Sequence, residues 1–177
     1  EGVEFSVVCV PEGYTYVPDN NFEQALIDLG YDDVINDFVF TENISGVTSL
    51  DVNNKQISDL TGIEGFTALN SLYCNNNELT TLDVSSNTAL TELVCSDNEL
   101  TSLDLSANTA LASLWCGYNQ LTSLDVSNNT ALTNLECGYN QLTALNVSSN
   151  TALTGLSCDH NQLTNLDVSA NTALTAL

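Results

Sequence analysis

Five cysteines recur at one interval in this 177-residue chain and are the first candidates for chemistry. They stand 21 residues apart: Cys74, Cys95, Cys116, Cys137 and Cys158. A zinc site needs clustered ligands such as C-x-x-C, which this spacing does not supply. Repeated at one position of stacked units, the thiols come close enough for disulfides, but their parallel side chains point in the wrong direction. We therefore predict a buried, reduced ladder of thiols, with disulfides or metal binding as alternatives, and no partner for Cys9.

Catalytic constellations are poorly represented. His160 is the only histidine, which excludes a histidine-rich metal site. The sequence contains no recognisable Ser/His/Asp set either. Glu92 and Glu136 could be imagined as a glycosidase pair, two units apart and therefore about 9.6 Å along a stack of strands. That separation is near the outer limit for inverting carboxylates, and nothing nearby raises a pKa. We predict that the protein is not an enzyme.

A row of acidic residues recurs at the same 21-residue step, interrupted once by asparagine: Asp83, Asp104, Asp125, Asn146 and Asp167. Like charges stacked about 4.8 Å apart repel each other, so weak calcium binding is an alternative to a simple solvated face. Asp32, Asp33 and Asp37 allow the same two interpretations. No EF-hand loop or G-G-x-G-x-D repeat is present. We predict no cofactor and no built metal site, with weak calcium binding left open.

The elements that position these residues follow from the 21-residue period. Each unit contains L-x-x-L-x-(C/V/L)-x-x-N twice, spaced by ten and then eleven residues. The apolar alternation is typical of strands, and neither half has room for more than about one helical turn. A fixed period of this length predicts a solenoid of stacked coils. Two asparagine rows are predicted to close its turns: Asn77, Asn98, Asn119, Asn140, Asn161 and Asn87, Asn108, Asn129, Asn150, Asn171.

The unit L-x-x-L-x-C-x-x-N-x-L resembles the consensus of leucine-rich-repeat proteins in five consecutive coils, and its nested form is similar to the bacterial IRREKO-type class. The resemblance implies a leucine-rich-repeat solenoid with parallel β-strands on the concave, ligand-facing side. Short extended runs and turns lie on the convex side, and a small α-helical cap covers the N-terminal end. Residues 17–66 resemble the cap and first repeat of internalin-like bacterial surface proteins through the segments VPDNNFEQAL, VTSLDV and ISDLTGIEGFTAL.

We divide the chain into an N-terminal segment and helical cap, 1–46, and a leucine-rich-repeat array, 47–177. The first repeat has 22 residues, five of 21 follow, and the last unit is truncated. Because the chain has no Met and stops inside a repeat, we expect it to be a piece of a longer protein. An uncapped last coil, with Leu174 and Leu177 at its end, could support end-to-end self-association.

The cap is predicted to contain a helix over 18–30, because Pro18-Asp19 can begin it and Gly30 can end it. Its inward stripe is Phe22, Ala25, Leu26 and Leu29. A second short helix or turn is predicted over 31–44, with Val34, Ile35 and Phe38 facing inward. The apolar stretch 5–10 reads as an edge strand or a linker.

Charge excludes several classes of partner. The formal net charge is −22, and Lys55 is the only lysine or arginine. Nucleic acid is excluded because phosphate neutralisation needs cations on the protein, and anionic membranes are disfavoured for the same reason. No apolar run reaches the roughly 20 residues that span a bilayer, so we predict no membrane insertion. The charge suits a salty or calcium-containing extracellular setting, and we predict a secreted or cell-surface protein.

Ligand contacts are predicted where the coils differ from one another, because a fixed scaffold with variable outward columns is free to bind there. The column between Leu and Cys reads Tyr, Val, Trp, Glu, Ser, and the column three residues later reads Asn, Asp, Tyr, Tyr, His. With an adjacent glutamate, the predicted ligand-binding residues on the concave face are Tyr73, Glu92, Asp97, Trp115, Tyr118, Glu136, Tyr139 and His160.

These observations predict a non-catalytic binding module of a secreted or cell-surface bacterial protein. Its concave face would serve protein–protein recognition or adhesion, with the aromatic residues as anchors. A glycan-binding module that stacks sugars on Trp and Tyr is an alternative, as is a purely structural spacer. The regular threonine rows leave ice binding as a further alternative.

Overall fold

The computed structural model describes residues 8–176, which fold as a small cap followed by stacked coils. The elements in chain order are β1 (Tyr14–Tyr16), α1 (Asn20–Asp28), β2 (Phe38–Phe40), α2 (Thr41–Ile44), β3 (Ser49–Asp51), β4 (Ser71–Tyr73), β5 (Glu92–Val94), β6 (Ser113–Trp115), β7 (Asn134–Glu136) and β8 (Gly155–Ser157). A 3₁₀ turn, Ile63–Gly65, lies on the opposite side of the first coil. Residues 5–7 of the predicted apolar stretch 5–10, and Leu177 of the last coil, lie outside the described residues.

The strands β3 to β8 form one parallel six-stranded sheet in chain order. The central leucine of each strand pairs in register with the next, from Leu50 through Leu72 to Leu156. These leucines are buried, while the residues on either side of them face outward. The predicted leucine-rich-repeat solenoid is therefore confirmed, and its outward strand residues and the turns that follow them make up the concave face.

The core is one continuous column of apolar side chains that runs through all the coils. The thiols of Cys74, Cys95, Cys116 and Cys137 are fully buried in it, and Cys158 is half-buried. Burial raises the pKa of Cys74 to about 12, because a thiolate would lose its hydration there. The predicted buried row is confirmed, and these thiols pack as small apolar side chains.

The asparagine rows tie each coil to the one before it. The side-chain nitrogen of Asn98 donates to the carbonyls of Cys74 and Cys95, and its Oδ1 accepts the N–H of Leu79. In the second row Asn108 donates to the carbonyls of Val84 and Asn87. The predicted structural role is confirmed: the amides of the first row bond the backbone of their own coil and of the preceding one, and the amides of the second row bond the backbone of the preceding coil.

The first coil carries Lys55 where later coils have asparagine, yet its turn is closed in the same way. Oδ1 of Asn77, from the next coil, accepts the backbone N–H groups of Lys55 and Ile57. The bond to Ile57 matches the bonds that later asparagines accept from the preceding coil. The asparagine of the following coil therefore closes this turn, although the first coil has no asparagine at the equivalent position.

The cap covers the open edge of the first coil. Helix α1 begins at Asn20 with Asp19 as its N-cap. The ring of Phe22 lies 6.4 Å from that of Phe66, which belongs to the first repeat. The second carboxylate oxygen of Asp19 accepts hydrogen bonds from Ser58 N, Ser58 Oγ and Asp59 N. One side chain thus caps the helix and fastens it to the array.

Parts of the predicted cap are wrong. Leu29, Val34 and Ile35 are exposed rather than inward-facing. Residues 31–37 form no helix, and β2 pairs antiparallel with β1, an arrangement that the helical periodicity did not indicate. The buried Glu23 explains the loop, because its Oε1 accepts the N–H groups of Asn36 and Phe38. This side-chain acceptor holds the loop, and the second short helix predicted within 31–44 is limited to α2, Thr41–Ile44.

Candidate ligand-binding face

The exposed aromatic residues lie on neighbouring coils of the concave face. Strand pairing puts Trp115 beside Val94 on one side and Glu136 on the other. Trp115 is 46% exposed, Tyr118 49% and Tyr139 40%, which is high for side chains of this size. Trp115, Tyr118 and Tyr139 therefore lie on two adjacent coils.

Three aromatic rings stack along the turn that follows the strands. The rings of Tyr118 and Tyr139 are 4.2 Å apart and 10° from parallel, and those of Tyr139 and His160 are 4.0 Å apart and 9° from parallel. All three residues have φ between 52° and 54°. Asn76 and Asp97 occupy the same turn in earlier coils with the same backbone geometry. Asn, Asp and His tolerate that left-handed region, whereas each tyrosine there costs about 1–2 kcal/mol.

The carboxylates of the predicted site fall into two groups. Tyr73 donates its hydroxyl to Oε2 of Glu92 at 2.6 Å, and this bond raises the pKa of Tyr73. Within residues 8–176 the carboxylates of Asp97 and Glu136 make no hydrogen bond or ion pair. The structure therefore separates Tyr73 and Glu92, which satisfy each other, from the two acidic groups that remain available beside the aromatic rings.

The ring of His160 contacts the Asp159 carboxylate of its own coil and the Tyr139 ring of the preceding coil. Its Nδ1 lies 2.7 Å from Oδ2 of Asp159, and Ser157 Oγ donates to Oδ1 of the same carboxylate at 2.9 Å. The hydrogen bond with His160, followed by that from Ser157, lowers the pKa of Asp159. This carboxylate keeps its negative charge at the edge of the stack well below neutral pH.

A depression of about 720 Å³ opens beside Trp115 and Glu136. Its walls include Asp159, whose carboxylate the sequence places beside the aromatic residues, and Asn134 and Gly155, which sequence reasoning did not place among the ligand contacts. Asn134 and Gly155 occupy the outward column before the central leucine, where the other coils have Ser, Glu and Ser. The variation in this column could have identified Asn134 and Gly155 from the sequence, but Glu92 is the only residue of the column among the predicted contacts.

The acidic row on the convex side has a local structural task. Asp104 accepts the backbone N–H of Ser106 at 2.9 Å, and this bond, with one from the Ser106 hydroxyl, lowers the pKa of Asp104. The side chains of Asp83, Asp125 and Asp167 each accept the backbone N–H of the serine two residues later, and Asn146 accepts the same bond in its own coil. Across the part of the chain that the structure describes, no three His, Cys, Asp or Glu side chains converge as metal ligands. None of the helices described is long and apolar enough to cross a membrane.

One known protein similar to this chain is a bacterial internalin. Internalin J of Listeria monocytogenes serotype 4b (strain F2365) is 45% identical over 72 residues, which is 41% of this chain and 8% of that protein. No family model matches. The chain therefore spans a small part of this curated relative.

Solved structures extend the likeness to nearly the whole chain. The functional domain of internalin J from Listeria monocytogenes, described as including a cysteine ladder, matches with a TM-score of 0.63 and 34% identity, over 93% of this chain and 47% of that one. A leucine-rich-repeat protein of Leptospira interrogans matches with a TM-score of 0.70 and 26% identity, over 76% and 37%. Internalin C2 of Listeria monocytogenes, at 20% identity over 96% and 89% with a TM-score of 0.68, shares the fold. Together with the 21-residue coils and the helical cap, these likenesses show that the chain has the leucine-rich-repeat fold and is similar to bacterial internalins.

Proposed function

We propose that this protein is a non-catalytic binding module that recognises a protein partner through one patch of its concave face. The aromatic–acidic patch consists of Trp115, Tyr118, Tyr139 and His160 with the carboxylates of Asp97 and Glu136. Large exposed aromatic side chains beside charged groups are typical of interaction hot spots. The similarity to internalins supports recognition or adhesion as the role.

The observation that carries the proposal is the strained aromatic stack. Tyr118, Tyr139 and His160 all occupy left-handed turn positions that Asn and Asp fill elsewhere in the same column. Stacking of the rings returns about 0.5–1.5 kcal/mol per pair, so the arrangement brings little net stability to the fold. Unfavourable backbone conformations at exposed residues concentrate at sites of function. A spacer would have no use for aromatic residues at these positions.

The geometry favours a protein partner over a glycan. A sugar ring packs against the face of an aromatic ring, but both faces of Tyr139 are covered by Tyr118 and His160. Trp115 stands apart from the stack and is the one large ring of the patch without an aromatic neighbour among the described residues. The exposed ring edges, hydroxyls and carboxylates suit the mixed contacts of a protein surface.

An extracellular location belongs to the same proposal. The formal charge of −22 repels itself at low ionic strength and is screened within about 8–10 Å in ordinary salt. Partial identity with internalin J supports a secreted or cell-surface protein. Cationic partners would be drawn towards such a surface, and their association would weaken as salt increases.

The test is an array of extracellular proteins and glycans probed with the wild type, Trp115→Ala and Tyr118→Asn. Asn at position 118 restores the residue that Asn76 places in the same turn, so the coil keeps its backbone. We expect both changes to weaken capture of a protein ligand by at least about tenfold, the effect typical of a hot-spot residue.

Thr122→Ala, an exposed change on the convex side, is the matched control and should bind like the wild type. Capture of glycans alone, lost with Trp115→Ala and kept with Tyr118→Asn, would replace the proposal with the glycan alternative. Equal binding by all four proteins would leave the structural spacer as the correct description.

A further inference from the structure

The polar atoms around Trp115 are mainly hydrogen-bond acceptors. Oε1 of Glu136 lies 3.6 Å from the position that a Cβ on Gly117 would occupy, so this carboxylate leans over the glycine towards the coil of Trp115. The amide nitrogen of Asn134 donates to the hydroxyl of the preceding threonine at 3.2 Å. Its Oδ1 is directed to Gly155, 3.0 Å from where a Cβ would stand. Two acceptor groups therefore border open space beside the indole.

The hydroxyl of Ser157 and the amide nitrogen of Asn134 are the side-chain donors of the same depression that are already engaged. The hydroxyl of Ser157 donates to Oδ1 of Asp159, which adds a second carboxylate to the wall. The one lysine of the protein, Lys55, lies in the first coil, where its Nζ is 3.0 Å from Oδ2 of Asp28. The depression thus combines an exposed indole and the apolar side chains of Leu135, Leu156 and Leu166 with two carboxylates and an amide oxygen, and its wall contains no lysine or arginine.

We infer that this depression is a subsite for an arginine side chain of the partner, an inference that rests on the protein-recognition function proposed above. A guanidinium has five N–H donors and no acceptor, which complements an acceptor-rich wall. Its planar face stacks on Trp, and its edge bonds a carboxylate with two parallel hydrogen bonds. Lysine has the same charge but is a compact, strongly hydrated ammonium that offers neither the plane nor the fork.

The space beside Trp115 is part of the argument. Glycines at 117 and 155 leave the indole and the Glu136 carboxylate accessible to a side chain from above the sheet. A Cβ at Gly155 would meet Oδ1 of Asn134 at 3.0 Å, tighter than ordinary van der Waals contact. Glycine at this point therefore keeps the acceptor oxygen open to a ligand.

Trp115 is the only tryptophan, so intrinsic fluorescence reports on this site alone. The probes are blocked pentapeptides, Gly-Gly-Xaa-Gly-Gly, in which Xaa is arginine, lysine or the neutral analogue citrulline. At low salt we expect the arginine peptide to change the Trp115 emission saturably, with an affinity about three- to fivefold higher than that of the lysine peptide. The citrulline peptide should bind more weakly than either.

Glu136→Gln and Glu99→Gln remove the same charge and form the matched pair. Glutamine already occupies the position of Glu99 in later coils, at Gln120, Gln141 and Gln162, so that change leaves the scaffold intact. We expect Glu136→Gln to abolish the preference for arginine over lysine and Glu99→Gln to preserve it. Equal affinity for arginine and lysine in the wild type would overturn the inference. An equal loss of the arginine preference in the two variants would also overturn the inference, because it would show that the peptides are attracted to the overall negative charge.

The outcomes separate this subsite from the wider function. If array proteins need Trp115 but the arginine and lysine peptides bind alike, the protein-recognition function stands and the arginine subsite is wrong. If the arginine preference depends on Glu136 while no array protein needs Trp115, the side-chain site stands and the proposed recognition function is wrong.

Discussion

At the scale of single residues, the two asparagine rows differ in how fully their side chains are used. Asn98 uses both ends of its amide: the carbonyls of Cys74, Cys95 and Ser96 accept from Nδ2, and the N–H of Leu79 donates to Oδ1. Asn108 donates to two carbonyls, but its buried Oδ1 has no hydrogen-bond partner among the described residues. A buried group left without its partner costs about 1–3 kcal/mol, so the two rows contribute unequally to stability.

We predict that Asn98→Ala destabilises the protein by about 3–5 kcal/mol and Asn108→Ala by about 1–3 kcal/mol. The first change leaves buried carbonyls and the N–H of Leu79 unpaired. The second leaves only carbonyls unpaired and also removes an amide oxygen that was already unsatisfied. Urea unfolding followed by circular dichroism measures the difference in the free energy of unfolding. A larger decrease in the free energy of unfolding for Asn108→Ala than for Asn98→Ala would contradict the unequal contributions of the two rows.

At the scale of elements, Asp19 joins the cap helix to the array. One carboxylate oxygen accepts from the N–H groups of Asn21 and Phe22, and the other accepts from Ser58 and Asp59. Burial alone would raise the pKa of Asp19, but the hydrogen bonds from Ser58, Phe22 and Asp59 outweigh it and lower the pKa below its usual 3.8. The ionised form is therefore the one that the folded cap prefers.

The sign of the pH effect follows from that lowered pKa. Asp19 contributes its stability above the pKa of the unfolded chain and loses it as pH falls through the lower folded value. We expect Asp19→Asn to lower the free energy of unfolding by about 1–2 kcal/mol at pH 7, because the amide nitrogen cannot accept from Ser58 or Asp59. The difference between the wild type and the variant should shrink as pH falls below 3.8 and Asp19 of the folded protein becomes protonated.

Asp104→Asn is the control for that measurement. Asn146 accepts the same turn bond as Asp104, so the change should alter stability by less than about 0.5 kcal/mol at pH 7. Thermal unfolding of both variants at several pH values provides the comparison. A difference for Asp19→Asn that persists undiminished at pH 2 would show that ionisation of Asp19 is not what fastens the cap.

At the scale of the whole molecule, charge opposes the stacking of coils. The formal net charge is −22, and the protein has one lysine and no arginine. That lysine, Lys55, forms its ion pair with Asp28 of the cap. The convex carboxylates recur along the stack and each holds the N–H of a turn, so they remain ionised in a row. Self-repulsion of this kind is screened by salt over distances of about 8–10 Å.

We predict that raising NaCl from about 10 mM to about 150 mM increases the thermal midpoint by several degrees, because screening relieves the repulsion in the folded stack. CaCl₂ at equal ionic strength separates screening from site binding. A further increase with calcium, absent from MgCl₂, would support the weak calcium binding that the sequence left open. Equal midpoints at low and high NaCl would mean that the charge is already accommodated by the spacing of the coils.

The sequence by itself determined the solenoid, its 21-residue coils, the buried cysteines and the structural asparagines. Periodicity suffices for these features because each coil repeats one environment, so the fate of one leucine, cysteine or asparagine is the fate of all. The same logic located Trp115, Tyr118 and Tyr139 together, since neighbouring coils bring equivalent positions about 4.8 Å apart.

Only the tertiary structure decided what depends on side-chain direction and on non-repeating contacts. It divided the eight predicted site residues by pairing Tyr73 with Glu92, and it brought in Asn134 and Gly155. It stacked the rings of the left-handed turns face to face. In the cap it turned Val34 and Ile35 outward, because β2 follows the loop that Glu23 holds, where no period constrains the chain. Repetition encodes the scaffold, whereas the binding face depends on contacts that occur once.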